Sequence, residues 1–134
     1  MELTHKKNIP SMDAWLREAK QHPDAGKVGM YLTHNGTVRA TPRARVRQGA
    51  ENAADVTGMI FSYDEAGVAA AVEETRRMEG IHYVRVWLNS GRLQVGDDIM
   101  YVLIGGDIRP RVIDAMQFLV GRLKETCVTE TELN

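Results

Sequence analysis

Cysteine is nearly absent from this chain: its 134 residues include one, Cys127. A lone thiol excludes an intrachain disulfide and any zinc site built from several cysteines, and it fits a reducing compartment. Long apolar runs are missing too. The opening residues, MELTHKKNIP, lack the apolar core of a signal peptide, and no run approaches the ~18 residues that a membrane helix needs, so a cytoplasmic protein with no membrane partner is expected. Nor does one sign of charge dominate, since 17 Lys and Arg against 18 Asp and Glu leave a net charge of -1. That balance argues against nucleic acid as a partner, because such binding rests on many phosphate contacts. The four histidines, His5, His22, His34 and His82, lack the short spacings of a zinc site. No metal and no other cofactor is expected.

What is present suffices for one domain. With 43% hydrophobic residues, a chain of this size buries about two-thirds of its unfolded surface. Ser11 precedes a short helix over residues 12–21 that contains Trp15 and Leu16 and stops at His22-Pro23. Residues 1–25 then form an N-terminal extension, bracing an edge, and residues 26–134 the domain proper. A strand over 27–34 sets Val28, Met30 and Leu32 on one face, and Asn35-Gly36 reads either as a hairpin turn or as a strand running into a loop. Residues 40–55 lose periodicity and read as loop. After a strand over 56–61, Ser62 and Glu65 have the spacing of a capping box, opening an alanine-rich helix to about Met78 that Gly80 ends. A partly exposed strand over 81–88 carries Tyr83, Arg85 and Trp87 on one side.

Residues 91–124, GRLQVGDDIMYVLIGGDIRPRVIDAMQFLVGRLK, hold the densest pattern. Leu93 and Val95 lead to a Gly96-Asp97 turn, residues 99–104 are a buried-strand run, and Gly105-Gly106 breaks it. The helix that follows has Asp107 near its start and Pro110 in its first turn. Val112, Ala115, Met116, Leu119, Val120 and Leu123 recur every three or four residues and face the core, leaving Arg111, Asp114 and Arg122 to solvent. This alternation of helices and strands describes an α+β domain with a mainly antiparallel sheet and packed helices.

Cations are the candidate chemistry. Arg39, Arg43, Arg45 and Arg47 fall within nine residues without an intervening carboxylate. Guanidinium groups so placed repel one another and become favourable around an anion, phosphate above all; the alternatives are a solvated basic loop or pairing with acids of a partner chain. Lys124 at a helix end is stabilised by the macrodipole by roughly 0.3–1 kcal/mol, which alone accounts for it. Asp97-Asp98 reads as turn residues. Cys127 beside a polar tail reads as incidental rather than as a sulfur relay.

The sequence from Gly91 through Leu93 to Gly96-Asp97, then Arg109, Gln117-Phe118 and Leu123-Lys124, resembles the large, catalytic subunit of molybdopterin synthase. Gly36-Thr37-Val38-Arg39 and Phe61-Ser62-Tyr63-Asp64 resemble two further elements of that family, and the likeness spans roughly residues 26–125. The resemblance implies the α/β hammerhead fold and a sulfurtransferase role in molybdenum cofactor biosynthesis. Sulfur would pass from the Gly-Gly thiocarboxylate of a small ubiquitin-like subunit to cyclic pyranopterin monophosphate. It makes Lys124 the catalytic residue, Arg39 and Arg109 the substrate phosphate and pterin ligands, and the assembly a homodimer core of a heterotetramer, with Tyr83 and Trp87 left to be covered. The chain departs from the family pattern at the helix start, where Ile108-Arg109 stands in place of His-Arg, and at Leu88-Asn89, also in place of His-Arg. It departs again at Thr131, in place of a second lysine, within a tail bearing Glu125, Glu130 and Glu132. Those departures keep open a non-catalytic relative that binds a ubiquitin-like sulfur carrier or an anionic ligand.

Overall fold

A run such as DIMYVLIGG, apolar at almost every position, can only be a strand covered on both faces. In the computed structural model, which describes residues 7–42, 49 and 55–134, it is β5, Asp98–Gly106. It lies at the centre of a three-stranded antiparallel sheet between β1, Met30–Thr37, and β3, Ile81–Leu88. A second antiparallel sheet places β2, Gly58–Tyr63, between β4, Gly91–Gln94, and β6, Val128–Leu133. Three helices complete the described chain: α1, Met12–Ala19; α2, Glu65–Arg76; and α3, Arg109–Arg122. The α+β class with antiparallel sheets is as expected.

The two faces of β5 have different covers because side chains alternate along a strand. Met100, Val102 and Ile104 point into the main core with Val112, Ala115 and Leu119 of α3. Leu103 and Tyr101 point the other way, where Trp15 and Ala19 of α1 close over them together with Tyr31, Tyr83 and Trp87. Arg85 lies over the Trp15 ring at 4.4 Å and pairs with Glu18 at 3.4 Å. Tyr83 and Trp87, expected to await a partner, are instead partly buried against the cluster that Trp15 and Ala19 form with Leu103. Helix α1 covers a face rather than bracing an edge.

Several boundaries moved for identifiable reasons. Ser11 caps α1 by accepting from the Ala14 amide at 3.2 Å, yet the helix stops at Ala19 and Lys20-Gln21 form a turn. A 3-10 turn at Ala25–Lys27 delays β1 by three residues, and Asn35 and Gly36 stay in the strand opposite Tyr101 and Met100, so no hairpin forms there. Ser62 is strand, not cap: α2 begins after Asp64 without a side-chain cap. Gly105-Gly106 do not break β5. They sit opposite Tyr31 and Met30, and a Cβ would fall 2.8 Å from the Tyr31 ring at Gly105 and 2.7 Å from Val112 Cγ2 at Gly106. Their missing side chains let an aromatic ring and a helix press on the strand.

The sequence pattern assigns no element to the polar tail, yet Val128–Leu133 is β6. Its residues pair with β2 from Tyr63–Val128 to Gly58–Leu133. Only its two ends are apolar, so periodicity was silent and the partner strand supplies the order.

Candidate functional site

Two segments distant in sequence are anchored side by side. After β1, Val38 is buried and bonded on both sides, its amide donating to Asp97 O at 2.9 Å and its carbonyl accepting from Gly96 N at 2.7 Å. Arg39 therefore leaves the sheet at a fixed point, with Nε donating to Thr41 O at 3.0 Å. After α3 the chain makes a single π-type turn, Leu123–Cys127. Its two ends are buried, which drives the intervening Lys124 outward. Such an insertion rotates the side chains that follow it relative to the helix.

Between these anchors lies a recess of about 310 Å³ lined by His34, Gly36, Thr37, Arg39, Ile99, Met100 and Lys124. A narrower inner part of about 40 Å³ shares Arg39 and Lys124 and adds Met59, Glu130 and Glu132. The outer part carries only cations and a half-buried imidazole; the carboxylates of β6 border the inner part. Burial first, and the Lys124 ammonium second, hold the His34 imidazole below its ordinary 6.5, so the ring is neutral at pH 7. The available chemistry is anion binding, hydrogen-bond donation and proton exchange. Among the described residues no three His, Cys, Asp or Glu side chains converge as a metal site requires.

Arg39 and Lys124 are brought together; Arg109 is not. It lies exposed on the first turn of α3, about 22 Å along the helix axis from Lys124 at ~1.5 Å per residue. Arg43, Arg45 and Arg47 fall outside the described residues. Cys127 is a free, buried thiol in the main core. His34 was weighed only as a metal ligand, and Glu130 and Glu132 only as tail charge. The period of two along β1, placing His34 with Leu32 and Gly36, was the available signal for the first. A larger hollow of about 560 Å³ opens beside β3, lined by His22, Asp24, Arg76, His82, Tyr83 and Arg85. Its guanidinium groups are committed: Arg76 donates to Val84 O at 3.2 Å, and Arg85 pairs with Glu18.

Two antiparallel sheets packed with helices, and a cationic recess between the end of one strand and the turn after the last helix, describe an α+β domain equipped to hold anions rather than to supply a nucleophile. The MoaE protein family model matches residues 6–126. The chain therefore belongs to the MoaE family, the large-subunit family of molybdopterin synthase, and with that membership goes a role in molybdenum cofactor biosynthesis. No curated protein sequence matches it significantly. Solved structures share the fold. The molybdopterin biosynthesis MoaE protein of Burkholderia ambifaria has a TM-score of 0.70 at 19% identity, over 95% of this chain and 84% of that one. Molybdopterin synthase of Staphylococcus aureus gives 0.64 at 16%, over 80% and 75%. A complex of subunits 1 and 2 of molybdopterin-converting factor from Helicobacter pylori gives 0.63 at 13%, over 92% and 78%. The family match begins at residue 6 and so takes in α1.

Proposed function

We propose that this chain is the catalytic half of a sulfur transfer: it holds cyclic pyranopterin monophosphate while the C-terminal thiocarboxylate of a small ubiquitin-like subunit delivers sulfur to it. The observation that carries this reading is the shared recess of Arg39 and Lys124. Each cation alone has an ordinary explanation. Together in one hollow they offer paired sites for the two anions that must meet, a phosphate and a thiocarboxylate, and holding reactants in register is most of what such a transfer asks. Arg39 presents a planar fork suited to phosphate. Lys124 presents a mobile ammonium beside the reacting sulfur.

Arg109 cannot join them within one chain. Any contact it makes with substrate comes from a second copy, which gives a homodimer core with a small subunit on each side a chemical purpose. The H. pylori complex of subunits 1 and 2 supports a small-subunit partner. The non-catalytic alternative drew on Ile108 and Thr131. Ile108 stands beside Arg109 at the far end of α3, and Thr131 is an exposed residue of β6 opposite Ile60. Neither removes a charge from Arg39 or Lys124, so that alternative is not favoured.

Purified chain mixed with thiocarboxylated small subunit and pterin precursor is expected to yield molybdopterin. Lys124→Ala should lower the rate at least about tenfold, or ~1.4 kcal/mol of barrier, while still melting cooperatively, with a loss of stability no larger than the roughly 0.3–1 kcal/mol of its macrodipole interaction. No product from the unmodified chain would leave only a binding role.

A further inference from the structure

We propose that His34 is a second catalytic residue of this recess, the general base that activates water to release the small subunit once its sulfur has bonded to the pterin. This rests on the sulfur transfer proposed above. When a thiocarboxylate sulfur attacks a carbon of the pterin side chain, the C–O bond at that carbon breaks and its electron pair departs with the oxygen, so the new C–S bond leaves the small subunit attached through a thioester. Release requires water to add to the acyl carbon while the acyl C–S bond breaks. The electron pair of that bond leaves with sulfur, which stays on the pterin as thiolate, and the small subunit departs as a carboxylate. One proton of the water goes to the imidazole and then to solvent. The other is lost when the carboxylic acid ionises, so no oxidant or reductant is needed.

His34 is the lining residue suited to this step. Arg39 and Lys124 carry no acceptor in their charged forms, and the Thr37 hydroxyl is too weak a base. Glu130 and Glu132 border only the inner part, whose about 40 Å³ admits no peptide end. The imidazole is half-buried at the rim of the main core, paired in register with Val102 on β5. Gly36 puts no side chain beside the ring, where a Cβ would already be in van der Waals contact with His34 Nε2 at 3.8 Å. Among the described residues none hydrogen-bonds to the ring, so an acceptor nitrogen is available to water.

The electrostatics agree with the geometry. Facing the ring are Lys124 from the π turn and Arg39 from the segment after β1, both cationic. Asp98 of β5 is occupied by Asn35 Nδ2 at 3.0 Å. Partial burial first, and the Lys124 ammonium second, hold the imidazole below its ordinary 6.5 and so in the unprotonated form a base requires. The same ammonium stabilises the oxyanion that forms as water adds.

The test follows a single turnover with thiocarboxylated small subunit and pterin precursor, separating adduct formation from release by intact-mass measurement and hydroxylamine capture of the thioester. His34→Phe and His34→Gln are expected to form the adduct within a few-fold of the unmodified rate, then release it about 100-fold more slowly. The thioester should accumulate. In the unmodified chain, release should rise with pH through an inflection below 6.5 and then level off; the variants should lose that inflection. Equal release rates, or an inflection that survives His34→Phe, would overturn the role of His34 while leaving sulfur transfer intact. Finding neither adduct nor sulfurated pterin product from the unmodified chain would overturn both.

Discussion

The two ends of α3 carry similar residues and have opposite fates. At its first turn Arg109 stands exposed beside Ile108, itself 51% exposed, and Arg111 is tied to Asp107 at 2.6 Å and Glu79 at 3.1 Å. Among the described residues, Arg109 lines none of the three hollows described above. At the other end a π-type turn wedges Lys124 between two buried residues, beside Arg39 and His34 from β1 and the segment after it. A basic residue at a helix terminus becomes part of a site only when a second element closes over it. The macrodipole is a contribution of roughly 0.3–1 kcal/mol, too small to assemble one.

Leu123 tests how far the Lys124 end depends on packing. It is fully buried, so Leu123→Ala should cost about 2–5 kcal/mol in denaturant unfolding and should displace the lysine that follows it. Full stability in that variant would mean that the turn is held otherwise. A sharper contrast comes from inorganic phosphate binding by calorimetry on the single chain. Lys124→Ala should weaken it several-fold, and Arg109→Ala should leave it unchanged unless two copies have associated; equal losses would erase the distinction between the ends.

Smaller effects refine the recess itself. Glu130→Gln with Glu132→Gln should strengthen phosphate binding by a few-fold, each carboxylate being worth roughly 0.2–1 kcal/mol at a partly exposed site. The smallest effect is on stability against pH. His34 has a folded pKa below its ordinary 6.5, so the unfolded chain takes up the proton first. The contribution is complete above about 6.5 and declines as pH falls toward the folded value. Lys124→Ala should narrow that decline in thermal melts, since it removes the second of the two causes and leaves burial.

Much of the fold was legible because apolar spacing dictates which faces are hidden. Val112, Ala115, Met116, Leu119 and Leu123 are buried as read and Val120 only partly so, β3 has its expected bounds, and Arg39 and Lys124 stand out in the sequence as cations at a strand end and a helix end. The misreadings fell where local signals are ambiguous. Gly105-Gly106 looked like a break because a double glycine lowers strand propensity, yet Tyr31 and Val112 needed the room. The tail gave no strand signal because β6 is an edge strand with two apolar residues, ordered by the backbone of β2.

Sequence alone determined the class of domain, the sidedness of its helices and the identity of its strongest cations, since these depend on periodicity and composition within short windows. Tertiary structure decided which cations share a recess, that Arg109 stands apart, that Tyr83 and Trp87 are partly buried beside α1, and that a histidine on β1 faces the lysine after α3. Those are relations between segments up to ninety residues apart, and only the packing of strands and helices into one core sets such distances.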